Sequence, residues 1–195
     1  MEFGIILTIT VIVLSIFWPA YLLPMDTENY EKAKANDEAA AKAAGRKRKL
    51  WHPPTWIFPV AWIAIYTLIA AAGSLHVASL SSIEAVPGKN FLAIWGLFFV
   101  NLTLNHGWSV LFFKRWWPVT AMFALFGILA TAIAITVLYA VGGFWHPLWM
   151  FCLYDAWLVV ALILNINVAL HDPERISKKK QKKVKGYDLS ESARS

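Results

Sequence analysis

The sequence predicts an all-α membrane protein, a bundle of five transmembrane helices. Three observations carry this. Of 195 residues, 58% are hydrophobic and only 15% charged, against about 25% charged in an ordinary soluble domain. The charges are segregated, most of them in residues 26–49 and 172–194. Between and before these stretches lie five apolar runs, each near the roughly 20 residues that cross a ~30 Å hydrocarbon core.

The first run extends from Phe3 to about Leu23. Only Met1 and Glu2 precede it, so it lacks the basic start of a secretory signal, and it ends in Trp18-Pro19-Ala20-Tyr21 rather than in a small-residue cleavage pattern. It therefore reads as a retained helix. The second runs from about Trp56 to Leu75, the third from Phe91 to Phe113, the fourth from Trp117 to Val141 and the fifth from Pro147 to Leu170. The organisation is a first transmembrane helix over 1–23, a charged connection over 24–50, helices two to five within 51–172, and a basic tail over 173–195. No internal repeat is visible, and there is no room for a second globular domain.

Lys and Arg give the topology. Residues 24–55 hold seven of the eighteen, the turn after the third run holds Lys114 and Arg115, and the tail holds eight. The two alternate connections share only Lys89. The positive-inside rule then places the amino terminus outside and the carboxyl terminus in the cytoplasm. Ala, Glu and Lys dominate Tyr30–Ala44, which predicts an exposed or interfacial helix that Gly45 could end. Arg46-Lys47-Arg48-Lys49 and the Lys178–Lys185 cluster suit anionic headgroups, at roughly 1 kcal/mol per residue near the surface. Nucleic acid is not the expected partner, because the tail cluster abuts a membrane helix and has no interleaved aromatics.

Eleven Trp in 195 residues is a high content. Trp suits interfaces and flat ligands, being an apolar plate with one N–H donor. Single Cys152 excludes a disulfide framework and any CxxC metal or haem-attachment motif. It reads as packing.

Polar residues inside the membrane carry the functional question, since their burial in hydrocarbon is costly. Asn101 and Asn105 are four apart, and Trp108 follows three later, so two amides and an indole share one face of the third helix. Their plain reading is interhelical hydrogen bonding, roughly 0.6–2 kcal/mol per contact. On the fifth helix Tyr154, Trp157, Ala161 and Asn165 align in the same way. Asp155 lies beside them and requires a partner or a perturbed ionisation. His106 and His146 are candidates for that partner, and a structural hydrogen bond competes with a proton-transfer role for His106 and Asp155. The second helix opens with Trp51-His52-Pro53-Pro54-Thr55-Trp56, then Pro59, Trp62 and Tyr66. The tandem prolines fix an extended approach, and Pro59 should kink or delay the helix. The aromatics continue inward past an interface belt. Three aromatic-plus-amide faces could thus enclose a flat, mostly apolar ligand.

The run Trp51-His52-Pro53-Pro54-Thr55-Trp56 with Trp62 and Tyr66, the run Asn101-Leu102-Thr103-Leu104-Asn105-His106-Gly107-Trp108 with Phe112-Phe113, and the run Tyr154-Asp155-Ala156-Trp157 with Leu164-Asn165 together resemble the motifs of the TspO/translocator protein family, the tryptophan-rich sensory proteins or peripheral-type benzodiazepine receptors. The match covers residues 50–172, with three motifs in the right order, and its character is that of the bacterial branch called CrtK, associated with pigment metabolism. The resemblance implies a five-helix bundle of TspO type, often a homodimer, in a bacterial inner membrane. It implies a ligand cavity that takes porphyrin, haem or a bacteriochlorophyll-type pigment. Carried over by position, the cavity would include Trp51, Trp56, Trp62, Tyr66, Asn101, Asn105, Trp108, Tyr154, Trp157 and Asn165. Trp62, Trp108 and Trp157 would pack on the macrocycle, and Asn105 would bind a polar substituent.

His106 and Asp155 depart from the family pattern, as does the long charged first connection. After Asn165 the chain lacks the aromatic of the animal sterol-recognition stretch, which argues against cholesterol. The leading expectation is a tetrapyrrole-binding sensor, carrier or regulator. A second is an accessory or assembly subunit of a larger photosynthetic pigment–protein membrane complex, to which the charged loop and lysine tail would dock. Enzymatic porphyrin degradation is a third and weaker reading: no nucleophile–base pair and no metal-ligand spacing of the HExxH or CxxC kind is present, and no catalytic or metal-binding residue is assigned.

Overall fold

The structure is a computed structural model that describes residues 27–43, 45, 53–81 and 90–171. The first apolar run, the basic cluster with Trp51, and the tail lie outside the described residues. Five helices are described: α1 (Glu28–Ala43), α2 (Ile57–Ser81), α3 (Asn90–Ser109), α4 (Pro118–Val141) and α5 (Trp145–His171). A π-helical segment, Val110–Lys114, prolongs α3. The protein is an all-helical membrane bundle, and four long apolar helices plus the first run are consistent with a count of five.

By length and composition, spans 57–79 of α2, 118–141 of α4 and 145–170 of α5 can each cross a membrane. The third span is more polar, because Asn101, Asn105 and His106 interrupt it, but α3 with its π segment still covers residues 90–114. Surfaces follow the inverted rule of a lipid solvent. On α4 the buried positions are Pro118, Ala121, Leu125, Ile128, Ala132, Ile135 and Tyr139, alternating in steps of three and four along one stripe. Phe123, Phe126, Ile133 and Val137 on the other faces are exposed, where the solvent is lipid rather than water.

Pro118 stands at the first position of α4, and Pro59 within the first turn of α2. Amides there have no intrahelical acceptor, so the missing N–H costs nothing. Pro59 thus belongs to the start of the helix, which the turn bonds from Ile57 N to Pro54 O (3.1 Å) and Phe58 N to Thr55 O (3.2 Å) lead into.

Helix α5 packs against both α2 and α4, and α4 packs against α3. Helices α2 and α3 meet through long side chains reaching across the interior. The π segment, a single widened turn of a kind rare in helices, carries two consecutive rings, Phe112 and Phe113, that both lie buried at 0% and 1% exposure. The chain then reverses through Trp116, whose φ of 51° costs a non-glycine residue about 1–2 kcal/mol. At the opposite end Gly143 takes a φ of 73°, a conformation that glycine adopts without penalty, and thereby turns α4 into α5.

Within the charged connection Glu28–Ala43 is helical, as its composition predicts, and Gly45 follows it with a φ of 62° and a bond from its N–H to Lys42 O. The helix is not merely exposed, however. Tyr30 is wholly buried; its hydroxyl donates to Pro53 O at 3.0 Å, and its ring meets Phe58 edge-on at 5.1 Å. Burial, with the Glu31 carboxylate next in chain, pushes the Tyr30 phenol above its ordinary range, so it stays a donor at physiological pH. One tyrosine thus pins a polar helix to the mouth of the bundle. Tyr30→Phe should cost about 1 kcal/mol for the lost bond. Tyr30→Ala, which also strips out the ring, should weaken the docking of α1 alone by about 3–4 kcal/mol and release it. Limited proteolysis at the α1 lysines should accelerate strongly in Tyr30→Ala alone, while the thermal midpoint of the bundle stays near that of the parent. Equal proteolysis rates in all three proteins would refute the pinning role.

Candidate functional site

The interior is crossed by a ladder of neutral hydrogen bonds. Tyr66 of α2 donates to Asn105 Oδ1 at 3.0 Å. Asn105 Nδ2 donates to the Tyr154 hydroxyl at 2.8 Å, and Tyr154 donates to Asn101 Oδ1 at 2.9 Å. Asn101 Nδ2 then donates to Ile128 O at 2.8 Å and Thr131 Oγ1 at 2.9 Å on α4. The ladder therefore ties together all four long helices. Tyr66, Asn101, Asn105 and Tyr154 are at most 5% exposed. The four-residue spacing of Asn101 and Asn105 places both amides against one tyrosine of α5, which is how a shared helix face becomes a shared partner.

A second link lies nearer the α1 end. Trp108 Nε1 donates to Asn165 Oδ1 at 3.0 Å, and Asn165 Nδ2 donates to Pro118 O at 2.8 Å. Asn165 thereby satisfies a carbonyl at the start of α4 and fixes the Trp108 plane. Trp108 stacks on Phe112 at 5.2 Å and 17° and lies 5.4 Å from Trp62.

Between these two links sit Trp62 and Trp157, one from α2 and one from α5. Their centroids are 6.5 Å apart and their planes cross at 88°. Trp62 is 2% exposed, and Trp157 is half-buried. Both indole N–H groups are buried without an acceptor among the described residues. Trp62 also contacts Tyr66 at 5.5 Å, and Tyr66 contacts the His106 ring at 5.8 Å. The structure thus brings together Trp62, Tyr66, Asn105, Trp108, Tyr154, Trp157 and Asn165, with Asn101 and His106 beside them. Trp56 is not enclosed with them, being 64% exposed, and Trp51 lies outside the described residues.

Asp155 finds a partner on α4 rather than a histidine. Thr136 Oγ1 donates to Asp155 Oδ2 at 2.7 Å, while Oδ1 is buried without a partner among the described residues. His146 is exposed, and His106 belongs with Tyr66. The reason is packing: Asp155 adjoins Tyr154 in sequence but lies a quarter-turn round α5, on the side that faces α4. Thr131, Thr136 and the Pro118 carbonyl complete these networks and carry no motif that marks them in the sequence.

The TspO/MBR family profile matches residues 22–170. The chain belongs to the TspO/MBR family. Among its relatives, protein CrtK of Rhodobacter capsulatus is 32% identical over 128 residues, covering 63% of this chain and 72% of that protein. The tryptophan-rich protein TspO of Archaeoglobus fulgidus is 29% identical over 127 residues, covering 65% and 77%. In this TspO/MBR protein the matched region includes α1, so the helix pinned by Tyr30 falls inside the family match.

Proposed function

We propose that the protein is a membrane-embedded tetrapyrrole-binding sensor or carrier, taking a porphyrin, haem or bacteriochlorophyll precursor at the Trp62–Trp157 pair. The observation behind this reading is the two buried indole N–H donors that have no acceptor among the described residues. Each unmet donor costs about 1–3 kcal/mol, and a planar ligand whose edge carries carboxylate or carbonyl acceptors would satisfy both while stacking on the rings. The edge-to-face angle of the pair leaves one indole to pack on a macrocycle face and the other to meet its edge. His106, 5.8 Å from Tyr66, would then bias which substituent is accepted. No covalent step belongs to this reading, and no residue is given a catalytic role.

Titration of the purified protein with protoporphyrin in detergent should quench Trp fluorescence saturably, with one equivalent per chain. Linear, unsaturable quenching by protoporphyrin, haem and a bacteriochlorophyll precursor alike would overturn the proposal.

One observation favours the second reading, a structural subunit of a larger pigment–protein membrane complex. Asn105, the amide expected to meet a ligand, is 0% exposed with both amide atoms engaged inside the bundle. Co-purification with pigment-binding subunits in mild detergent, with no pigment on the isolated chain, would favour that alternative.

A further inference from the structure

At the end of the bundle opposite α1, aromatic rings box in one imidazole. His76 of α2 is 1% exposed. Phe144 lies 4.7 Å from it, Tyr139 of α4 5.3 Å and Phe91 of α3 6.0 Å. Trp95 of α3 stacks beside it at 6.1 Å and 9°. Three polar atoms of these side chains are buried without a hydrogen-bond partner among the described residues: His76 Nδ1, the Tyr139 hydroxyl and Trp95 Nε1.

A few orphaned polar groups per hundred residues is ordinary. Three around a single ring, contributed by three helices, is a different observation, because each costs about 1–3 kcal/mol and nothing in packing alone requires them to cluster. Their polarities are complementary to one small molecule. Trp95 can only donate, Tyr139 donates or accepts, and a neutral imidazole nitrogen can accept. A water molecule accepts from two partners and donates to a third, and buried waters take two to four polar partners. We propose that an ordered water molecule is bound between His76, Tyr139 and Trp95, as a second polar site distinct from the Trp62–Trp157 pair.

The separation of the two sites rests on one phenyl ring. Phe151 lies 5.4 Å from Tyr139 and 5.7 Å from Tyr154, so it stands between the water site and the interior ladder. A ligand at Trp62 and Trp157 would leave the water in place. The site therefore gives His76 a proton-exchange partner at this end of the bundle.

Water-edited solid-state NMR on the full chain in lipid bilayers, with labelled His and Ile, tests this. His76 ring signals should rise at short water-to-protein mixing times, several-fold faster than those of the fully buried Ile128 side chain. In Tyr139→Phe/Trp95→Phe, which keeps both apolar bodies and removes two of the three water partners, the His76 transfer should fall several-fold. Build-up at His76 as slow as at the fully buried Ile128 side chain of the unaltered protein would overturn the proposal, whether or not the double variant folds. So would a direct Tyr139–His76 hydrogen bond seen in the same spectra.

Discussion

Asn105→Leu should destabilise the bundle by about 2–4 kcal/mol. The substitution keeps the branching at Cγ and removes both rungs that Asn105 makes, to Tyr66 and to Tyr154. Interhelical bonds in membranes average about 0.6 kcal/mol and reach about 1.7, and the buried Tyr66 hydroxyl would lose its Asn105 acceptor, a loss of about 1–3 kcal/mol. Tyr154 still donates to Asn101, so the damage is bounded. Tyr66→Phe, which loses one rung, should cost about 1 kcal/mol, and a double-mutant cycle of the two changes should reveal coupling because they share a bond. Thr103→Val is the control: Thr103 is exposed and bonds only its own helix, to Phe99 O. Reversible unfolding in mixed micelles measures all four. If Asn105→Leu shifted the midpoint no more than Thr103→Val, the ladder would not be what holds the helices in register.

Binding should respond most to the double variant Trp62→Phe/Trp157→Phe, with tetrapyrrole affinity falling about a hundredfold. Phe retains a flat ring in each position, so stacking and fold persist while both N–H donors disappear. Each hydrogen bond to an acceptor contributes about 1–1.5 kcal/mol, or roughly tenfold in affinity. Absorption changes of the pigment give the dissociation constant without relying on the altered indoles. Trp149→Phe, at a position 70% exposed, should leave affinity unchanged. Affinity of the double variant within about twofold of the parent would show that these donors do not hold the ligand, and would direct attention to the subunit reading.

Spacing made some of this interior legible. Residues three and four apart on a helix share a face, so Asn101, Asn105 and Trp108, and separately Tyr154, Trp157 and Asn165, could be grouped before any partner was known. Spacing along one helix does not say which groups on another helix lie opposite. Pairing Trp108 with Asn165 while leaving Trp62 and Trp157 without acceptors depends on how α2, α3 and α5 are rotated about their axes. Asp155 illustrates the same limit. A histidine partner was a reasonable expectation from chemistry, but the angular offset from Tyr154 turns the carboxylate to Thr136, a residue that sequence gives no reason to choose. His76 carried no motif at all, and only the convergence of α2, α3 and α4 makes it part of a cluster. Tyr30 was hidden inside a polar helix, where a lone aromatic reads as incidental until its hydroxyl is found on Pro53.

By itself, then, the sequence determined that this chain is a helical membrane protein of the TspO/MBR family, because hydropathy, charge segregation and motif order are properties of the chain that no packing arrangement can alter. Tertiary structure decided which polar groups are spent on holding helices together and which remain unmet. Hydrogen bonding in a lipid-surrounded interior is set by the relative rotation and depth of neighbouring helices, and a linear pattern does not contain those two quantities.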